Sequence, residues 1–260
     1  MRIVESIVLL FVLACAYIGI WLAKTKRLPE IRPLAAIEAF DEAIGRAAEM
    51  GKPVWFGTGL GTMERGDSVE VQSGLAILGR AAEVAAKYDV WLQYMTHVPY
   101  QVPIAQDLIK DGYTKGGRPD LYNPNMVIYT GGHGLDAASQ GALIGVTVDY
   151  LMSERPAAIL MFGTLHWEII MTLGTAARIG AMILAGCKST YSMASTLMLG
   201  DYALVGDEIY AAGAYLSKQP FELGVIEGQD WIKIFVIALL LVSAVVINLD
   251  LFDWSAFITM

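Results

Sequence analysis

Three histidines, His97, His133 and His166, are all the imidazoles in the chain. Each follows a different short apolar run: Val90–Met95, Met126–Tyr129 and Ala158–Phe162. Short runs of this kind, closed by glycine or threonine, read as buried strands. If the three strands are neighbours, the rings converge where strand ends form a crevice. Three imidazoles with Glu168 or Cys187 nearby suit zinc or another transition metal. A single imidazole, or Glu168, suits general acid–base work instead. The catalytic candidates are therefore His97, His133, His166 and Glu168, and the metal candidates are the three histidines. The same positions also suit helix capping, which calls for no convergence at all.

A second group could hold a cofactor. Gly57-Thr-Gly-Leu-Gly61 follows the first predicted strand, and Gly131 and Gly132 follow the third. Glycines after a strand let main-chain N–H groups approach a phosphate. Gly57, Thr58, Gly59, Gly61, Gly131 and Gly132 are the candidates. The spacing is G-x-G-x-G, however, not G-x-G-x-x-G, and the next helix starts only near Val69. There is no Walker lysine, and the second strand does not end on an acidic residue. A tight turn against the sheet accounts for the pattern with fewer assumptions. Cys187 closes the fifth strand beside Lys188, whose charge would lower a thiol pKa, though a buried structural thiol is the simpler expectation. Ser189, Thr190 and Ser192 read as helix-capping hydroxyls, and Asp67 or Ser68 as the cap of the helix from Val69.

These groups need a scaffold, and the stretch from Asn125 to Ser189 supplies its pattern. Apolar runs at Met126–Tyr129, Ala158–Phe162 and Ala181–Ala185 alternate with helix-length segments at Asp136–Glu154 and His166–Gly180. This alternation predicts βαβ units, with strands buried on both faces. Upstream, Pro53–Phe56 and Val90–Met95 add two strands, and Tyr202–Val205 adds an edge strand. Helices are expected over Pro33–Met50 with Gly51 at its end, Val69–Tyr88, a segment reaching about Lys110, Met193–Leu199 and Asp207–Ser217. The fold class is α/β: a Rossmann-like, mostly parallel sheet of five or six strands with helices on both faces. Ligands of such sheets bind beyond the carboxyl ends of the strands.

Composition places this domain at a membrane. Hydrophobic residues make up 55% and charged residues 17%, with a mean hydropathy of +0.50. Ile7–Ala23 and Ile234–Ile247 are uncharged apolar runs, each approaching the roughly 20 residues that span a bilayer. Lys24, Lys26, Arg27 and Arg32 follow the first run, and no Lys or Arg occurs after Lys233. The positive-inside rule then puts the centre of the chain in the cytoplasm and both termini outside. The expected divisions are a first span over 1–24, a cytoplasmic α/β domain over 25–229, a second span over 230–249 and an interfacial tail over 250–260. Gly224–Gly228 reads as a chain break before the second span. A net charge of −8 argues against nucleic acid, which needs a basic face. Two cysteines, one inside a span, cannot build a disulfide framework.

From Ile31 to the second span the chain resembles a family of uncharacterised prokaryotic membrane proteins known as a domain of unknown function. The resemblance is carried by Arg32-Pro-Leu-Ala-Ala-Ile-Glu-Ala-Phe-Asp-Glu-Ala-Ile-Gly-Arg46, Glu49-Met-Gly-Lys-Pro-Val54, Ala86-Lys-Tyr-Asp-Val90, Glu154-Arg-Pro-Ala157, Ala214-Tyr-Leu-Ser-Lys218 and Gly228-Gln-Asp-Trp231. It implies a prokaryotic cell membrane and brings no catalytic residues. A narrower likeness to membrane proteases of the signal-peptide-peptidase type rests on Thr130-Gly-Gly132 and Ser189–Asp201. Ser195-Thr-Leu-Met198 lacks the small Ser-Gly turn those enzymes need.

The expected function is a membrane-anchored, self-assembling scaffold. Gly141–Leu151 and Ile169–Ile179 carry few charges on any face, and surplus apolar helix surface implies partners. The expected partners are the bilayer, further copies of the chain and other subunits of a membrane complex. That reading requires no cofactor. The alternatives are a membrane-tethered enzyme on the histidine-lined site and a nucleotide or small-molecule sensor on the Gly57–Gly61 loop.

Overall fold

A computed structural model describes residues 2–25, 34–64, 66–132, 136–217 and 219–248. The chain divides into two compact units, one of Arg32–Ser217 and one formed by the two ends of the chain.

The first unit holds six parallel strands: β1 (Val54–Gly59), β2 (Leu92–Thr96), β3 (Val127–Tyr129), β4 (Ala158–Thr164), β5 (Met182–Cys187) and β6 (Tyr202–Val205). Their order across the sheet is β3-β2-β1-β4-β5-β6, with every neighbouring pair parallel. This is the doubly wound order, and its direction reverses between β1 and β4. The four inner strands are buried along nearly their whole length, whereas β3 and β6 are partly open edges.

Inside the uniform apolar runs a period of two still operates. Phe56, Tyr94, Leu160, Phe162 and Leu184 face one core, packed under α2 (Ala35–Met50), α3 (Ser68–Lys87), α4 (Gln101–Lys115) and α8 (Glu208–Ser217). Trp55, Met95, Ile159, Met161 and Ile183 face the other, under α5 (Ala137–Glu154) and α6 (Glu168–Ile179), with residues of α7 (Thr190–Leu199) at its margin. On the first side α3 lies unusually close to the sheet. A Cβ at Gly74 would stand 2.2 Å from the Phe162 carbonyl oxygen, so only glycine fits there.

Local endings follow the residues. Gly51 adopts φ 61 and closes α2 with its N–H on Ala47 and Ala48, as its left-handed conformation allows. The Asp136 carboxylate accepts from the Ser139 N–H at 2.8 Å and caps α5. Neither Asp67 before α3 nor Ser189 before α7 makes the expected side-chain cap. Ser192 instead donates to the Leu165 carbonyl and ties α7 to the end of β4.

The second unit pairs α1 (Arg2–Thr25) with α9 (Pro220–Asn248). The Gly224–Gly228 segment is not a break: α9 runs through it as continuous helix. A Cβ at Gly224 would stand 2.5 Å from Ile20 Cα, and one at Gly228 2.7 Å from the Cys15 carbonyl oxygen. A Cβ at Gly19 would meet the Gly224 carbonyl oxygen at 2.2 Å. The glycines therefore bring two backbones together, the small-x-x-x-small device of membrane helix pairs. Within the described residues, Glu5–Thr25 is the one helix segment long and apolar enough to cross a membrane. Much of the surface of α9 beyond Lys233 is apolar, with Ile234, Ile237, Leu240 and Leu241 more than half exposed. The 250–260 tail lies outside the described residues.

Candidate functional site

Strand order decides which candidates can meet. β4 is not beside β2, because β1 lies between them. The Gly57–Gly61 turn therefore separates the strand ends that carry His97 and His166. His133 lies outside the described residues. Among the described residues no group of three or more His, Cys, Asp or Glu is placed to hold a metal.

His97 is fully buried, and neither ring nitrogen has a hydrogen-bond partner. Burial holds its pKa below the ordinary imidazole value, with the nearby Asp136 charge opposing. It is a neutral ring in the folded protein. His166 is half-buried and lies against Tyr191, with ring centroids 6.2 Å apart.

Glu168 is 1% exposed, at the first turn of α6. Both carboxylate oxygens take the His166 N–H at 3.0 Å. Burial drives its pKa up to about 7, against the pull of main-chain contacts with His166, its own amide and Leu60. It borders a small cavity with Trp55, Met95, Thr147 and Thr172. The volume open to the centre of a water molecule is about 10 Å³, room for roughly one water.

The glycine candidates face the chain itself. Beside Gly57 stands the Trp55 ring, beside Gly59 the Thr164 carbonyl and Leu165, and beside Gly61 the Thr164 side chain and Val71. A Cβ at Gly132 would strike Ser139, whereas Gly131 has open space around it. Thr58 joins a buried polar network: its hydroxyl is 2.9 Å from the Tyr94 hydroxyl, which donates to Gln101 Oε1 at 3.1 Å. Thr96 also donates to Gln101 Oε1, at 2.8 Å, and Gln101 Nε2 donates to the Gly61 carbonyl at 3.1 Å. On this side the protein's own side chains occupy the space at the ends of β1 and β2. Gln101 was not among the sequence candidates, since no motif surrounds it.

A second polar group escaped the sequence reading. Tyr210 donates to Glu70 at 3.4 Å, and Lys188 Nζ lies 5.2 Å from the Tyr210 ring centroid. Burial and Asp67 raise the Glu70 pKa, and Tyr210 and Lys188 are both raised as well, Lys188 first by its contact with Tyr210. Lys188 therefore stays charged and Tyr210 protonated. Nor does Lys188 activate Cys187: the thiol is buried 3.3 Å from the Thr196 hydroxyl, and burial pushes its pKa up.

Together these features define a doubly wound α/β protein whose strand-end crevice is largely closed by its own side chains. The chain belongs to the family described as "Domain of unknown function (DUF6754)", whose profile matches residues 1–258. No curated protein and no solved structure matches it.

Proposed function

We propose that the chain is a membrane-anchored, self-assembling scaffold, a structural component of a larger membrane complex. The supporting observation is the outer face of α5 and α6. Ile170 and Met171 are 58% and 50% exposed, with Val146 and Met152 also exposed. Gly141, Gly145 and Gly174 sit in the same helices with nothing within 4 Å of where a Cβ would stand. A glycine inside a helix costs about 1 kcal/mol relative to alanine, and no described residue fills the gap. A neighbouring copy that brings its backbone against these helices does. The face carries one exposed charge of each sign, Asp149 four residues after Gly145 and Arg178 four residues after Gly174, so like charge does not dominate where copies meet.

In this reading α1 and the apolar part of α9 both enter a prokaryotic cell membrane, with the α/β unit in the cytoplasm and both termini outside. Ile170→Glu with Met171→Glu reduces the detergent-extracted particle to a monomer in light scattering. An unchanged particle mass would sink the idea. Protease added outside intact cells leaves the α/β unit whole, and its digestion would overturn the topology.

A membrane-tethered enzyme is the second reading, favoured by Glu168, a carboxyl with pKa near 7 at a water-sized cavity. Glu168→Gln separates the readings: a variant of unchanged particle mass that fails to replace the wild-type chain in cells lacking it favours the enzyme, and one that replaces it fully favours the scaffold.

A further inference from the structure

The outer faces of α5 and α6 fit each other in a way that one copy of the chain leaves unused. Each helix precedes a strand of the parallel sheet, α5 before β4 and α6 before β5, so the two run in the same direction. They are also level. Ala158 and Met182, which open the strands that follow them, are register partners, and near the other end Trp167 Nε1 donates to Gln140 Oε1 at 3.1 Å. Heights on the two helices are therefore compared by counting back from their last residues, Glu154 and Ile179. Gly145 and Ile170 each stand nine residues back, and Asp149 and Gly174 each five.

Asp149 and Arg178 are both exposed, and neither side chain pairs with any described residue. Their charges are opposite, and they lie on different helices. Helical side chains lean toward the N-terminus of their helix. From position 178 the long arm of an arginine therefore covers the turn of Gly174, where nothing lies within 4 Å of a Cβ position. Its guanidinium then reaches the height at which Asp149 stands on α5. The same comparison sets Ile170, 58% exposed, level with the open space at Gly145.

Resting on the self-assembly proposed above, we infer that α5 of one copy packs in parallel against α6 of a second, across a two-fold axis running along the helices, with Asp149 of each copy paired to Arg178 of the other. The occupant is a second copy because only this rotation uses both charges. A two-fold along the helices exchanges them, so each α5 meets an α6 at equal height, and the contact repeats on both sides of the axis. Ile170 of each copy then fills the space at Gly145 of the other. A two-fold across the helices lays α5 on α5 and α6 on α6 instead. Each charge then faces a helix that carries its own sign, and neither finds its opposite.

The test uses the full chain in detergent, with particle mass read by light scattering over a range of concentrations. Asp149→Arg alone and Arg178→Asp alone each raise the concentration for half-dissociation about tenfold, because two like-charged contacts replace two opposite ones. Arg178→Gln moves it the same way by less. The double swap, Asp149→Arg with Arg178→Asp, restores wild-type mass. The two single variants, co-expressed with different tags, purify together as a mixed pair, since one then carries only cations at the contact and the other only anions. Unchanged mass in both single variants overturns the inference. So does a double swap that stays dissociated while the α/β unit unfolds at its usual temperature, or a co-expressed pair that never mixes. If the charge swaps leave mass unchanged but Ile170→Glu with Met171→Glu lowers it, this pairing fails and the self-assembly through α5 and α6 stands. A wild-type chain that is monomeric at every concentration overturns both.

Discussion

The Tyr94 hydroxyl donates to Gln101 Oε1 at 3.1 Å, and both side chains are buried. Two adjacent strand ends and the first turn of α4 are joined through that contact, since Gln101 also reaches the Gly61 carbonyl. Burial pushes the Tyr94 pKa up to about 12, so its proton remains available to donate.

Gln101→Leu leaves the Tyr94 and Thr96 hydroxyls and the Gly61 carbonyl without their partner. The expected loss is about 1–3 kcal/mol, the range for buried polar groups left unsatisfied, read by denaturant unfolding. Gln101→Glu still accepts from both hydroxyls but cannot donate to Gly61, and falls between the two.

The pH dependence of stability separates two residues with opposite signs. Glu168 has a folded pKa of about 7, above its ordinary value of 4.5. The folded state therefore binds the proton more tightly, and the contribution of Glu168 to stability falls as pH rises from about 4.5 to 7. Glu168→Gln flattens that slope, which is worth on the order of 1–3 kcal/mol. Unfolding curves at several pH values measure it.

His97 works the other way. Its folded pKa lies below 6.5, so the folded state binds its proton less tightly. Stability from this residue is complete above the unfolded value and falls as pH drops below 6.5. His97→Phe removes that acid-side loss and leaves the Glu168 slope in place. A variant that retained the full loss below pH 6.5 would show that another group carries it.

Gly141→Ala and Gly174→Ala test the outer face of α5 and α6. Each adds ~0.5–1 kcal/mol to the stability of the α/β unit, because the Cβ enters open space. Each also weakens assembly. Stability that rises while particle mass stays constant would mean that no neighbour uses these gaps.

Much of the sheet was legible because burial on both faces turns strands into continuous apolar runs. Val54–Gly59 and Ala158–Thr164 stand where those runs predict strands. Their lateral order was not, since parallel strands with similar crossovers carry no mark of their neighbours. The idea that His97, His133 and His166 converge depended on that order, and β1 intervenes between the second and fourth strands. Gly224 and Gly228 misled for a related reason. A glycine pair reads as a break until a partner helix, here with Gly19 and Ala16 opposite, is known to need the space. Lys188 looked like a neighbour of the Cys187 thiol, but side chains alternate at a strand end. One turned into the core and the other out over Tyr210.

The glycine contacts between α1 and α9 also bear on how the α/β unit unfolds. They clasp the chain behind both Arg32 and Ser217, so a denatured α/β unit is a closed ring rather than a free strand. By the loop-entropy account, closing a ring of that size removes about 5 kcal/mol of disorder from the denatured ensemble. The first and last helices thus act as a reversible, non-covalent staple. Widening the clasp with a single methyl group, as in Gly224→Ala, should lower the melting temperature of a domain that the mutation never touches.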